Sequence, residues 1–131
     1  KKAVEFNDSY GIVVYAKTLL ENEDMESKIK AFNYLKKLSS EGNCLAMYEY
    51  GMMLFTGNGI PVDKPKAAEF FKKSSDHNYA AAMIQYGNML LNGDGIPIDK
   101  IKAIEYFKKA ADLDDLNAIF LYGFWNRKPS K

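Results

Sequence analysis

Apolar residues along this chain recur at helical spacing, and nowhere does an alternating run of β-branched residues bounded by turns suggest a strand. From Asn43 to Thr56, the residues Ala46, Tyr50, Met53, Leu54 and Gly57 fall on one face of a helix, with the small Gly51 at its edge. This is helix A. Gly57 and Gly59 allow the positive backbone dihedrals that stop the helix and reverse the chain, Pro61 stiffens the way out, and Asp63 is placed to cap the next helix. Helix B then runs past Pro65, which is harmless in a first turn whose N–H groups lack intrahelical partners. It carries Ala67, Phe70, Phe71 and Ser74 inward and Lys64, Glu69, Lys72, Lys73 and Asp76 outward. Asn78, like Gly42 before it, suits the left-handed residue that ends helix B.

The same hairpin returns after 36 residues. Ala46, Gly51, Gly57, Gly59, Ile60, Pro61 and Asp63 reappear as Ala82, Gly87, Gly93, Gly95, Ile96, Pro97 and Asp99, and Ala46 and Gly51 recur again as Ala118 and Gly123. Aligned without a gap, 43–78 and 79–114 share 19 of 36 positions; composition alone gives roughly two or three. An earlier unit is visible in Ala31, Lys36, Lys37 and Ser39, which match Ala67, Lys72, Lys73 and Ser75; its first half fits better at an offset of 35. The expected units are 7–42, 43–78, 79–114 and a half unit 115–125. A glycine inside a helix costs about 1 kcal/mol relative to alanine, so its return at 51, 87 and 123 points to close approach of another helix. A single hairpin cannot bury its apolar face, whereas stacked hairpins share a core. The expected fold is therefore all-α: an α/α superhelix, or solenoid, of about three and a half hairpins and seven helices within one domain, 1–131.

The residues Ala-Met-Tyr-Glu-Tyr-Gly-Met-Met-Leu-Phe-Thr-Gly-Asn-Gly-Ile-Pro-Val-Asp-Lys-Pro-Lys-Ala at 46–67, with their copy at 82–103, resemble SEL-one-like repeats, relatives of the tetratricopeptide repeat. The resemblance is strong from 43 to 125 and weaker before it. It implies an adaptor or scaffold that assembles protein complexes. Secreted bacterial members carry a cysteine pair in every repeat, and this sequence departs from them in having only Cys44.

Composition narrows the function without specifying it. The 131 residues include 18 basic and 17 acidic side chains, a net charge of +1 that makes no field to gather nucleic acid. No apolar stretch approaches the ~20 residues that span a bilayer. One cysteine forms no intramolecular disulfide, which favours a reducing, cytoplasmic location. The first residues, Lys1 to Asp8, lack an initiator Met and an apolar signal core, so the chain reads as a piece of a longer one.

Candidate chemistry is sparse. His77 lies in a turn and is replaced by Leu113 in the next copy; Cys44 falls in a first helical turn, where Ala80 takes its place, and reads as a buried or half-buried thiol. The acidic loop Glu21, Glu23, Asp24 and Glu26 lacks the ligand spacing of a calcium loop. The Gly57-Asn58-Gly59 and Gly93-Asp94-Gly95 segments follow helices and lack Gly-Lys-Ser/Thr, so they are turns rather than phosphate cradles. The Lys36-Lys37, Lys72-Lys73 and Lys108-Lys109 pairs are diluted by nearby acids and read as a solubilising face. No acid and base, nucleophile and base, or ligand cluster emerges, so the expectation is a non-enzyme with no cofactor and no metal.

Binding surface is easier to place. With Ala46 at 0° and ~100° per residue, Tyr48, Met52 and Phe55 lie at about 180° to 240°, opposite the face that packs on helix B. By the resemblance, the A helices line a concave side, Leu45 joins at the rim, and these positions face a groove. Their counterparts are Tyr10, Val13, Lys17 and Leu20 in the first unit, Ala81, Ile84, Asn88 and Leu91 in the third, and Asn117, Phe120 and Phe124 in the last. Tyr48 and Ile84 read equally well as packing against adjacent A helices. An apolar row on a surface suits a protein or peptide partner. A second expectation is self-association: Tyr122 and Trp125 repeat core positions, yet no helix B follows to cover them. A regulatory domain of a larger polypeptide is the third.

Overall fold

A computed structural model describes residues 2–127, with side chains described from Tyr10 onward. Among the described residues there are seven helices and no strand: α1 (Lys2–Leu20), α2 (Met25–Ser40), α3 (Cys44–Thr56), α4 (Lys64–Ser75), α5 (Ala80–Asn92), α6 (Lys100–Ala111) and α7 (Leu116–Asn126). The helices pack chiefly on their neighbours in sequence, and α1 also touches α3. That connectivity is a solenoid of the hairpins α1/α2, α3/α4 and α5/α6, with α7 stacked on the end.

Local chemistry sets the boundaries. The Asp63 and Asp99 carboxylates accept from the backbone N–H of Lys66 at 3.1 Å and of Lys102 at 3.0 Å, so the predicted cap recurs with the repeat. Asp24, Asn43 and Asp115 cap α2, α3 and α7 in the same way. Helix α5 starts at Tyr79 without a side-chain cap. The loop after each A helix folds back on it, with Asp63 N–H donating to Leu54 O and Asp99 N–H to Leu90 O, both at 2.8 Å. Gly59 and Gly95 make that fold-back work for two reasons. Their φ angles are +88° and +86°, and a Cβ would stand 2.8 Å from Lys28 Cβ and 2.5 Å from Lys64 Cβ, the starts of the preceding B helices.

The core runs the length of the stack. Ala31, Leu35, Ala67, Phe71, Ala103 and Phe107 of the B helices are fully buried against Ala16, Ala46, Met53, Met83 and Met89 of the A helices. The expectation that the intrahelical glycines mark close approach holds at two of three positions: Gly51 faces the Phe71 ring and Gly87 the Phe107 ring. Gly123 faces nothing within 4 Å, as no B helix packs there among the described residues. Inward Ser74 is satisfied by donating to Cys44 O at 2.8 Å, which ties α4 to α3. Phe70, expected inward, is only half-buried; Ala68 takes the buried position instead.

Candidate functional site

Three rows of side chains cross the A helices. Val13, Tyr48, Ile84 and Phe120 form the first, Lys17, Met52, Asn88 and Phe124 the second, and Leu20, Phe55 and Leu91 the third. Neighbouring A helices are tied through the second row. Lys17 Nζ lies 3.5 Å from Glu49 Oε2, and Gln85 Nε2 lies 3.1 Å from Met52 Sδ. Glu49 and Gln85 are equivalent positions, so each grips the second-row residue of the unit before it.

Exposure along these rows is uneven, and two sequence-based placements are corrected. Val13 is 0% exposed and Leu91 is 8% exposed, so both belong to the core and cannot contribute surface to a groove. The reason is local packing. Val13 and Leu91 are enclosed within the continuous core cluster, whereas Tyr48 and Ile84 at the position of Val13, and Leu20 and Phe55 at the position of Leu91, pack against that cluster from its edge. Lys17 is exposed, and Leu20, Met52, Ile84 and Asn88 are half-buried. Leu45 and Ala81 are half-buried, and Tyr10 and Asn117 are exposed.

Aromatic contacts account for the partial burial. Tyr48 lies 5.7 Å from Phe71 and 5.3 Å, edge-on, from Tyr79, so it packs into the junction of α3, α4 and the start of α5. Phe55 lies 6.4 Å from Phe71 and carries the Lys64 ammonium 5.1 Å from its centroid. That ammonium is held from the other side by Asp94 at 2.8 Å. The loop of one unit thus clamps a cation over the aromatic ring of the unit before.

Glu49 was not singled out by the sequence, and burial perturbs its electrostatics. Its side chain is 12% exposed, and burial pushes its pKa up against the opposing pull of Lys17. Burial also raises the pKa of Tyr48 and Tyr79, and the Glu49 charge adds to both; a hydrogen bond with Gln85 partly offsets the effect at Tyr48. A charged residue at 49 among core positions 46, 50 and 53 was the available signal.

Helix α7 presents the most open apolar surface. Leu116 is 81%, Phe120 68% and Phe124 41% exposed, and Trp125 is 39% exposed where its counterparts Met53 and Met89 are at 1%. Phe120 and Phe124 stack at 6.1 Å, and the Arg127 guanidinium lies 4.6 Å from the Phe124 centroid. Elsewhere, His77 and residues 21–26 are exposed, Glu26 lying in the first turn of α2, and Cys44 is half-buried. Among the described residues, no three His, Cys, Asp or Glu side chains converge on a metal arrangement, and no helix is long and apolar enough to cross a membrane.

Comparison with known proteins places this geometry. The Sel1 repeat matches residues 26–43, 44–79 and 80–115. Among solved structures, a Sel1 repeat protein from Oxalobacter formigenes is 22% identical at a TM-score of 0.80; the match covers 89% of this chain and 48% of that one. A protective antigen present in uropathogenic Escherichia coli strains and displaying an SLR fold is 23% identical at a TM-score of 0.86, covering 98% of this chain and 28% of that one. This chain therefore spans about half of the first and little more than a quarter of the second. Cysteine rich protein B of Helicobacter pylori is 23% identical at 0.71, with 92% of each chain covered. No curated protein sequence gives a significant match.

Proposed function

We propose, from the premise that this chain belongs to the Sel1 repeat family, that it is an adaptor holding a peptide or protein segment against the exposed side of its A helices. Sel1 repeat proteins are helical scaffolds that typically mediate protein–protein interaction, and their solenoid is generally non-enzymatic. The observation that carries the reading is that half-buried apolar side chains recur on the A helices of successive units. Leu20, Met52, Phe55 and Ile84 remain half-buried on the free protein, and the row opens into exposed Phe120 and Phe124. A bound amphipathic helix or apolar extended segment completes their burial, with the aromatic end as its anchor.

The test uses peptides selected against this chain from a displayed random library. Phe55→Glu combined with Phe120→Glu should weaken binding by at least about tenfold while the helical circular dichroism stays near wild type and the melting temperature falls by only about 5 °C. Lys72→Glu with Lys108→Glu, on the B helices, should leave affinity within about twofold. The reverse pattern contradicts the reading. A second reading, self-association through α7, is favoured by the exposed Trp125 at a core position; a mass that rises with concentration in light scattering supports it, and a constant monomer mass removes it.

A further inference from the structure

Two hollows between successive B helices are copies of one another 36 residues apart, and their charges differ. Ser39, Met47 and Lys73 line the first, of about 410 Å³; their counterparts Ser75, Met83 and Lys109 line the second, of about 390 Å³. The first adds Lys36 and Lys66 and has no carboxylate in its wall. In the second, Asp76 replaces Ser40, and Asp112 joins it. The next unit keeps lysines at the equivalent positions 72, 102 and 109, so the charge difference comes from Asp76 standing where this unit has Ser40, and from Asp112, whose counterpart Asp76 does not line the first hollow.

These lysines are placed rather than loose. Lys36 lies 5.6 Å from the Phe32 centroid and Lys73 lies 5.1 Å from that of Phe70. Phe32 and Phe70 in turn pack on Tyr50 at 5.6 Å and 4.7 Å, so one aromatic wedge carries both cations. None of Lys36, Lys66 and Lys73 forms an ion pair among the described residues. The exposed Glu41 and Glu69 are sequence neighbours of the hollow and do not line it.

Beyond Tyr50 and Lys66, which belong to both walls, lies a hollow of about 300 Å³ lined by Leu54, Ile60, Pro61 and Val62. The charged residues in its wall are Lys66 and Asp63. We propose that the basic hollow and its apolar neighbour form a second binding site, for an acidic protein segment that sets a carboxylate among Lys36, Lys66 and Lys73 and an adjacent apolar side chain on Ile60 and Val62. Charge complementarity selects the carboxylate, and the methylenes of its side chain lie on Tyr50 and Phe70. Asp63 repels a second acid, which fixes the order of the two groups. This site uses the B-helix side and is independent of the A-helix row.

The probe is the blocked pentapeptide Ala-Glu-Leu-Leu-Ala, titrated into the isotope-labelled full chain while backbone amide shifts are followed. Saturable shifts are expected at Ser39, Ser40, Gly42 and Lys66, and not at the matching Ser75, Asp76, Asn78 and Lys102. Replacing Glu by Gln in the peptide, or Lys36→Gln with Lys73→Gln in the protein, should weaken binding by about fivefold or more, as should Ser40→Asp, which copies the charge of the next unit. Circular dichroism verifies that these exposed-site variants remain folded. The proposal is overturned by absence of saturable shifts, by equal shifts at the two hollows, or by shifts confined to A-helix amides near Met52 and Phe120. Inorganic phosphate is the second arm. If it saturates the same amides at the same concentration as the peptide, the hollow is a simple anion site and the peptide claim fails.

Discussion

A Cβ added at Gly87 would stand 2.6 Å from Phe107 Cε1 and 3.3 Å from Ala103 O, whereas one added at Gly123 meets nothing within 4 Å. Phe107 is fully buried and its ring cannot step aside without moving the core. Gly87→Ala should therefore destabilise by about 1–3 kcal/mol through overpacking, while Gly123→Ala, which only improves helix propensity, should stabilise by up to about 1 kcal/mol. Urea unfolding of the two variants reads both signs; equal shifts contradict the packing account. Glu49 supplies the pH dependence. Its folded-state pKa is raised above the ordinary 4.5 because burial outweighs Lys17, so the folded protein holds that proton more tightly than the unfolded chain. Its contribution to stability is present below the unfolded value and is lost as pH rises through the folded one. Glu49→Gln should accordingly raise the melting temperature at neutral pH, by an amount that shrinks as pH falls through the carboxylate range. Gln85 already places an amide at the equivalent position. A variant less stable at neutral pH would mean that the Lys17 pair outweighs burial.

Helices α3 to α6 were legible from their punctuation, because Gly-x-Gly-Ile-Pro-x-Asp encodes a left-handed stop, a fold-back and a cap that the chain carries out twice with the same hydrogen bonds. Asp99→Ala should cost about 1 kcal/mol in thermal or chemical melts by leaving the α6 N-terminus uncapped. What angular position could not reveal is depth. Leu20, Phe55 and Leu91 share one place on the helical wheel, yet Leu91 alone of the three is enclosed in the core. Leu91→Glu should therefore destabilise by at least about 3 kcal/mol by burying a carboxylate, while Phe55→Glu, beside the Lys64 ammonium, should cost only about 1 kcal/mol. Denaturant midpoints separate the two, and comparable losses would put Phe55 in the core. Equally hidden were the contacts from Lys17 to Glu49 and from Met52 to Gln85. They link residues 32 and 33 positions apart and depend on how far one hairpin is shifted against the next, which the repeat period does not encode.

At the scale of the whole molecule, stability is a chain of nearest-neighbour interfaces, so it should be graded along the stack. The hairpins α3/α4 and α5/α6 are flanked on both sides and should show the slowest amide hydrogen exchange. Helix α7, with Leu116, Phe120 and Trp125 exposed, should exchange fastest among helices α3 to α7, and uniform protection would indicate that something covers that face. The same geometry divides the surface into an apolar A-helix side and a lysine-bearing B-helix side, which gives the adaptor account its sharpest test. The measurement is amide hydrogen exchange of the chain with and without a peptide selected for binding to it. The account predicts slowed exchange in α3, α5 and α7 around Met52, Ile84 and Phe120, with the outer turns of α4 and α6 around Lys72 and Lys108 unchanged; protection confined to α4 and α6 would contradict it.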